Sequence, residues 1–392
     1  MKQIDHVCPS CASIGLAVFY EVNDMPVHSV LLLPTRDEAL NYPTGIIALG
    51  FCHSCGFITN LAFESYVHEY SSRYEETQGF SPTFNAFHRR LAKHLIARYD
   101  LHHKDVIEIG CGKGEFLAML CELGDNRGVG FDPAYVPGRV KSDKATFIRD
   151  FYSEKYTDYK ADFVCCKMTL EHIQDVSNFV TVVRRSMGDN DKTVVFFQVP
   201  DVRRIFNEVA FWDIYYEHCS YFSLGSLGRL FQRSGFEIID LWQDYDGQYL
   251  MIEARPGSGK EINVLPIEED LEDLHRDVEL FVTSFTQRLE QWATKLRSFK
   301  EDDHKVVLWG GGSKGVAFLT TLQVGLDLIQ YVVDINPHKA GTFMAGTGQE
   351  IVPPEYLKIY EPDVVIIMNP IYRDEIQGDL SILGLLPKLL TV

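Results

Sequence analysis

The sequence predicts an α/β protein built on a doubly wound sheet, preceded by a small cysteine-rich β region and followed by a second, smaller α/β unit. Three observations carry this. Apolar runs of strand length between residues 105 and 200 alternate with segments of helix length, the pattern of a sheet covered by helices on both faces. Near the N-terminus, Cys8-x-x-Cys11 and Cys52-x-x-Cys55 enclose short apolar runs. After residue 304 a new strand, KVVLW, runs straight into the turn GGGSKG.

Taken in order, the first unit is expected over 1–72, with GLAVFY and VLLLP as short strands. The second spans 73–257. It opens with the helical spacing of AFHRRLAKHLIARY and continues through the strands DVIEIG, GVGFD, ADFVCC and TVVFFQVP. GFEIIDLWQDYDGQYLMIEA closes it as an antiparallel hairpin, and RPGSGK, residues 255–260, reads as a linker. The third unit, 258–392, begins with a long amphipathic helix. Its stripe of Leu271, Leu274, Val278, Phe281, Phe285, Leu289, Trp292, Leu296 and Phe299 serves packing within the chain or an oligomer seam. Oligomeric state stays open. YVVDINP and DVVIIMNP are the later strands of this unit.

At 392 residues, with 46% apolar residues, the chain is too long for one core and rich enough in apolar side chains to fill several. Its 37 Lys and Arg against 55 Asp and Glu give a net charge of −18. That field repels a phosphate backbone or an anionic membrane, so neither is an expected partner, although a small anionic ligand can still be held locally. MKQIDHVCPSC lacks the apolar core of a signal peptide, and no run approaches the length of a membrane span. Nine cysteines, an odd number, favour metal ligation and free thiols over a disulfide framework, with a cytoplasmic location.

Two CxxC pairs supply the four thiolates of a tetrahedral structural zinc, with Cys8, Cys11, Cys52 and Cys55 as ligands. The 40 residues between the pairs exceed the usual ribbon spacing, and four ordinary thiols are the alternative. With no open position, such an ion staples the fold.

The run VIEIGCGKGEF places Gly110, Gly112 and Gly114 between a strand and a helix, with Glu108 at the strand end. Asp132 ends the next strand, 22 residues after Gly110, where an acid can bind ribose hydroxyls. Glycines allow close backbone approach to a ligand, and the helix start is electropositive. A nicotinamide site uses a similar turn, but its glycine spacing differs.

EIGCGKG, GFDP and RDFY resemble the first motifs of class I S-adenosylmethionine methyltransferases. The resemblance implies that the glycine turn holds the methionine end of the cofactor, that Asp132 grips the ribose, and that Asp150 and Phe151 lie by the adenine. Over nearly the whole chain the sequence is similar to the sugar C-methyltransferases, which pair a four-cysteine zinc region, a methyltransferase core and a C-terminal Rossmann-like domain. The similarity includes EHCSYFS, GFEIIDLWQDYDGQYLMIEARP, GGGSKG, YVVDINPHKAGTFMAGT and PDVVIIMNP. It implies a nucleotide-linked 4-keto sugar as substrate, in deoxysugar or secondary-metabolite assembly.

IYYEHCSYFS, residues 214–223, sets Glu217 and His218 among aromatic rings. Methylation at carbon beside a ketone needs a base to remove a proton first, and an imidazole suits that task. The resemblance assigns proton abstraction to Tyr215, Glu217 and His218. Tyr216 stands where the family usually has its first His. Tyr215 can donate to a developing enolate oxygen. Read from the residues alone, His218 is more readily a satisfied core or helix-start histidine, followed by Ser223 as a helix cap. Glu171-His172, past the strand ADFVCC, is a second acid–histidine pair. His172 either assists the base or lines the pocket. Backbone N–H groups and Lys314 of GGGSKG, with Ser313, can hold a phosphate, or the turn merely shapes the cleft. RYEETQGFSPTF, residues 73–84, is a candidate flap carrying Tyr74, Gln78 and Ser81 as substrate contacts. An O- or N-methyltransferase, or a silent zinc- and nucleotide-binding scaffold, is the rival reading.

Overall fold

The computed structural model describes residues 2–67, 70–188, 190–257, 266 and 270–392. Three sheets organise them. The first is antiparallel and contains Lys2–Val7, Ile14–Pro26, Thr44–Phe51 and Ile58–Asn60 in that order. Its last position is filled from far along the chain: Ser220–Tyr221 pairs with Ile58–Asn60, Ser220 opposite Thr59. GLAVFY lies in the second of these strands. VLLLP is no strand. It is buried as a loop, joined to the flap by one bridge between Leu31 and Tyr74. Leu31 and Leu33 pack there with Ala39, Tyr74, Ala134 and Ala345, residues drawn from all three units. An apolar run was read as a strand because continuous hydrophobicity marks burial, not extension.

The central sheet has seven strands. Across it run Phe236–Asp244, Tyr249–Pro256, Val194–Pro200, Phe163–Lys167, Asp105–Ile109, Arg127–Phe131 and Ala145–Ile148. The last five are parallel, and Tyr249–Pro256 is antiparallel to both its neighbours. The four expected strands and the closing hairpin are present. Ala145–Ile148 escapes sequence reading because it is a four-residue, half-exposed edge. Arg255 and Pro256, expected in the linker, end the hairpin's second strand. Residues 258–260 of that linker lie outside the described residues.

The third sheet is wholly parallel, ordered Glu350–Val352, Ile329–Val333, Val306–Trp309, Val364–Ile367 and Lys388–Thr391. The helix Leu271–Glu301 bridges first and third sheets. Phe281 packs on Tyr20 and Phe206, and Phe285 on Tyr20 and Phe211. Near the other end Trp292 meets Phe318 edge-on at 5.1 Å. The apolar stripe is therefore spent inside the chain. Among the described residues no helix is long and apolar enough to cross a membrane.

Candidate active site

Open parallel sheets bind ligands beyond the carboxyl ends of their strands, where the strand order reverses. In the central sheet that point lies between Asp105–Ile109 and Phe163–Lys167, and in the third sheet between Val306–Trp309 and Val364–Ile367. Both crevices open into one cavity of about 510 Å³. Gly110, Gly112 and Asp132 line it from one side, Gly310, Gly312 and Asp334 from the other, and His218 lies on the same wall system.

The glycine turn Gly110–Gly114 is built by backbone geometry. Gly110 has φ +69°, and a Cβ there would sit 1.9 Å from Thr169 Oγ1. Gly110→Ala is therefore expected to cost about 1–3 kcal/mol in equilibrium unfolding, measurable by urea titration. Gly112 donates its N–H to Asp132 Oδ2 at 2.9 Å, and Ala134 donates to Oδ1 at 2.7 Å. Burial still pushes the Asp132 carboxyl up. Gly114 does not line the cavity. Its φ is +89°, and an added Cβ would strike the Phe147 ring at 2.4 Å, so this glycine serves helix packing. Glu108 does line the cavity, with Oε2 buried and unpartnered and its carboxyl pushed up to about 7 by burial.

Phe151 stands at the cavity rim, 57% exposed and edge-on to Tyr70. Asp150 does not face the cavity. It accepts from Tyr156 Oη at 2.5 Å and Lys155 Nζ at 2.9 Å, which hold its carboxyl down at about 2. Within residues 73–84, Tyr74, Gln78 and Ser81 line the cavity. Each is also tied down: Gln78 Oε1 accepts from Tyr372, and Ser81 donates to Glu375 while capping the helix Pro82–Tyr99.

The aromatic loop divides its side chains. Tyr215 and His218 face the cavity, with Tyr215 Oη hydrogen-bonded to His218 Nε2 at 3.0 Å. Burial, then His172 and Lys314, holds the His218 imidazole well below its ordinary pKa, so it is neutral. His172 lies with its ring 4.9 Å from that of His218 and hydrogen-bonds the Glu217 carbonyl at 3.0 Å through Nδ1. Tyr216 points the other way. Its ring is stacked obliquely on Phe63 and its Oη accepts from Glu64 N–H. The Tyr216 side chain is therefore not part of the cavity lining.

Glu217 also turns away from the cavity. Its carboxylate pairs with His28 Nδ1 at 3.1 Å and accepts from Ser29 N–H at 3.0 Å and from the Ser29 hydroxyl, which lies 2.7 Å from that of Ser313. Burial pushes this carboxyl up, but the His28 and Ser29 bonds outweigh it and hold it below its ordinary value. Glu217 thus ties the aromatic loop to the loop after the strand Ile14–Pro26, and through Ser29 to the helix Ser313–Thr321.

Ser313 and Lys314 both reach the cavity, yet Lys314 is no spare charge. It pairs with Asp213 at 2.8 Å, which also takes Arg204. Sequence reading missed Asp334, although its signal was present. It ends the strand after GGGSKG as Asp132 ends the strand after GCGKG, accepting from Gly311 N–H at 2.9 Å and Asn336 N–H at 2.8 Å. Glu76 and Lys113 were missed as well. The Lys113 ammonium is buried between the Tyr74 and Ala134 carbonyls, 3.1 Å from Glu76. No pattern marks either in the sequence.

Apart from the cavity, the four Sγ atoms of Cys8, Cys11, Cys52 and Cys55 lie within 4.8 Å of one another. Cys8–Cys55 and Cys11–Cys52 are each 3.7 Å apart. Tetrahedral zinc with thiolate bonds near 2.3 Å demands roughly 3.8 Å between sulfurs.

Residues 84–241 match the methyltransferase-domain family, and residues 258–383 match the family described as C-methyltransferase C-terminal domain. Together with the sheet and its glycine turn, these matches make the chain an S-adenosylmethionine-dependent methyltransferase. The description of the second matched family and the relative below make it a C-methyltransferase. It is 27% identical over 304 residues to the C-methyltransferase NovU of Streptomyces niveus, covering 74% of this chain and 72% of that one. Among solved structures, a riboflavin-derivative dimethyltransferase, RosA of Streptomyces davawensis, has a TM-score of 0.35 at 17% identity, covering 43% of this chain and 55% of that one. Magnesium protoporphyrin IX methyltransferase of Synechocystis PCC 6803 has a TM-score of 0.37 at 14% identity, covering 45% and 84%. At such scores neither bears on the chemistry of this chain.

Proposed function

We propose that this methyltransferase deprotonates a carbon beside a ketone and methylates it, with a nucleotide-linked keto sugar as substrate. One observation carries the reading: His218 lines the same cavity as Gly110, Gly112 and Asp132. S-adenosylmethionine supplies an electrophilic methyl group and leaves as S-adenosylhomocysteine. Gly110 and Gly112 let its methionine end approach the backbone, and Asp132, already fixed by two N–H bonds, grips the ribose. Phe151, at the cavity rim, would lie by the adenine.

His218 takes the proton from carbon as a neutral imidazole. Tyr215 Oη, 3.0 Å from His218 Nε2, donates to the enolate oxygen as charge develops there. His172 has its Nδ1–H on a backbone carbonyl, which aims its other nitrogen at the same wall. Glu217 positions the loop through His28 and Ser29 and does not touch the reacting carbon.

The nucleotide reading rests on the third sheet. Its glycine turn and Asp334 repeat the arrangement around Asp132 and look across the cavity at it. A carboxylate held in this way suits ribose hydroxyls, and Ser313 begins a helix whose free N–H groups suit phosphate. Zinc at the four cysteines staples the first sheet and takes no part in the chemistry.

The test is hydrogen exchange without methyl donor. With a nucleotide-linked keto sugar in deuterium oxide, the protein is expected to wash deuterium into the carbon beside the ketone, read by proton NMR. A sugar that is methylated but never exchanges would sink the enolate mechanism.

A further inference from the structure

Glu171, His172 and His218 bring one ligand-type atom each to within 4.8 Å of one another. The trio lies on the cavity wall, well apart in role and chemistry from the four-cysteine cluster. We infer that these three residues form a second metal site, for a divalent transition ion of the zinc class, and that an ion bound there withdraws His218 from proton transfer. The binding stands on geometry alone, whereas the inhibitory consequence rests on the proposed role of His218.

Glu171 is the strongest sign. It is 1% exposed, and neither carboxylate oxygen has a hydrogen-bond partner. A buried carboxyl group without a hydrogen-bond partner is unfavourable, and a dication bound between it and two imidazoles would give its oxygens a partner. The histidines are prepared in the way metal-bound histidines are. His172 Nδ1 is held by the Glu217 carbonyl at 3.0 Å, so the proton sits there and the Nε2 lone pair is left for a metal. His218 is steadied by Tyr215 at 3.0 Å.

The backbone under the trio is fixed. Glu171 and His172 form a single turn, Leu170–His172, directly after the strand Phe163–Lys167. Cys219 N–H donates to the Glu171 carbonyl at 3.0 Å, and the Ser220 hydroxyl donates to the Ile173 carbonyl at 2.7 Å. Those two bonds clamp the turn to the loop that carries His218. Around a tetrahedral ion with bonds near 2.0 Å, ligand atoms sit roughly 3.3 Å apart, against the 4.8 Å within which the trio's atoms already lie. Two nitrogens and one carboxylate suit zinc, cobalt, nickel or copper far better than magnesium or calcium. The fourth position opens into the cavity, where water completes the shell.

Cobalt(II) is the probe. Added to the protein as purified, with its thiolate site left as it stands, it is expected to bind as one further equivalent. Its visible d–d bands should appear without new thiolate charge-transfer absorption, and zinc should displace it. Glu171→Gln, which keeps the side chain's size, is expected to weaken this binding by about 10–100-fold. Absence of a further equivalent, or equal binding by the variant, overturns the site.

In the turnover assay, zinc is expected to inhibit and a chelator to restore activity, with Glu171→Gln requiring roughly tenfold more zinc. Unchanged or increased turnover on loading overturns the inhibitory half while leaving the site. Cobalt binding in a protein that shows no hydrogen exchange with keto sugars would instead count against the proposed function alone.

Discussion

His218→Gln is expected to lower kcat by about 10²–10⁴-fold, the usual worth of a positioned general base, with binding of S-adenosylhomocysteine unchanged. Glutamine fills similar space and can keep a hydrogen bond to Tyr215 Oη, which lies 3.0 Å from His218 Nε2. It cannot accept a proton. The donor-side groups, Gly112 and the doubly bonded Asp132, are fixed by their own backbone bonds and do not depend on residue 218. The defect should therefore fall on turnover and on deuterium exchange together, and calorimetry with S-adenosylhomocysteine should see none of it. A variant that turns over within tenfold of the parent would remove the imidazole from the mechanism.

Cys52→Ser is expected to empty the four-cysteine site and to destabilise the protein by several kcal/mol, since losing a structural metal is among the few single changes with so large an effect. Cys52 and Cys55 follow the strand Thr44–Phe51, while Cys8 and Cys11 follow Lys2–Val7. An ion there would tie the sheet's outermost strand, Lys2–Val7, to its third, Thr44–Phe51, across the strand Ile14–Pro26 that lies between them. Its ligands are also packed into the core of the central sheet, where Cys8, Cys52 and Cys55 join Phe57, Phe222 and Leu227. Arg229 reaches across to the Cys55 carbonyl at 3.0 Å. Loss of the metal should loosen this seam as well as the first sheet. Native mass spectrometry should find one zinc per chain in the parent and none in the variant, with a lower melting transition. A parent protein that carries no zinc when natively purified would refute the staple.

The periodic parts of the fold were legible because burial writes itself into sequence. DVIEIG, GVGFD, ADFVCC and TVVFFQVP are runs buried on both faces, and Leu274, Val278 and Phe281 repeat at helical spacing. What failed was local. Ala145–Ile148 pairs on one side only and so needs little hydrophobicity. VLLLP is apolar because three units press on it, which gives it no strand partner beyond one bridge. Within the site, Asp132 was readable from its distance to a glycine turn, and the same rule would have found Asp334. Glu217 shows the limit: its neighbours His28 and Ser29 lie 189 and 188 residues away. No spacing in the chain announces that such a carboxylate faces them and leaves the cavity to its neighbour His218.

That carboxylate has a bearing on how the molecule comes into being. Ser29 leaves the ribosome well before Ser313, yet their hydroxyls meet beside Glu217. The bend that aims the imidazole cannot settle until both have arrived. On the proposed mechanism, a nascent or clipped chain would therefore complete its donor side before its base, and competence would be acquired last.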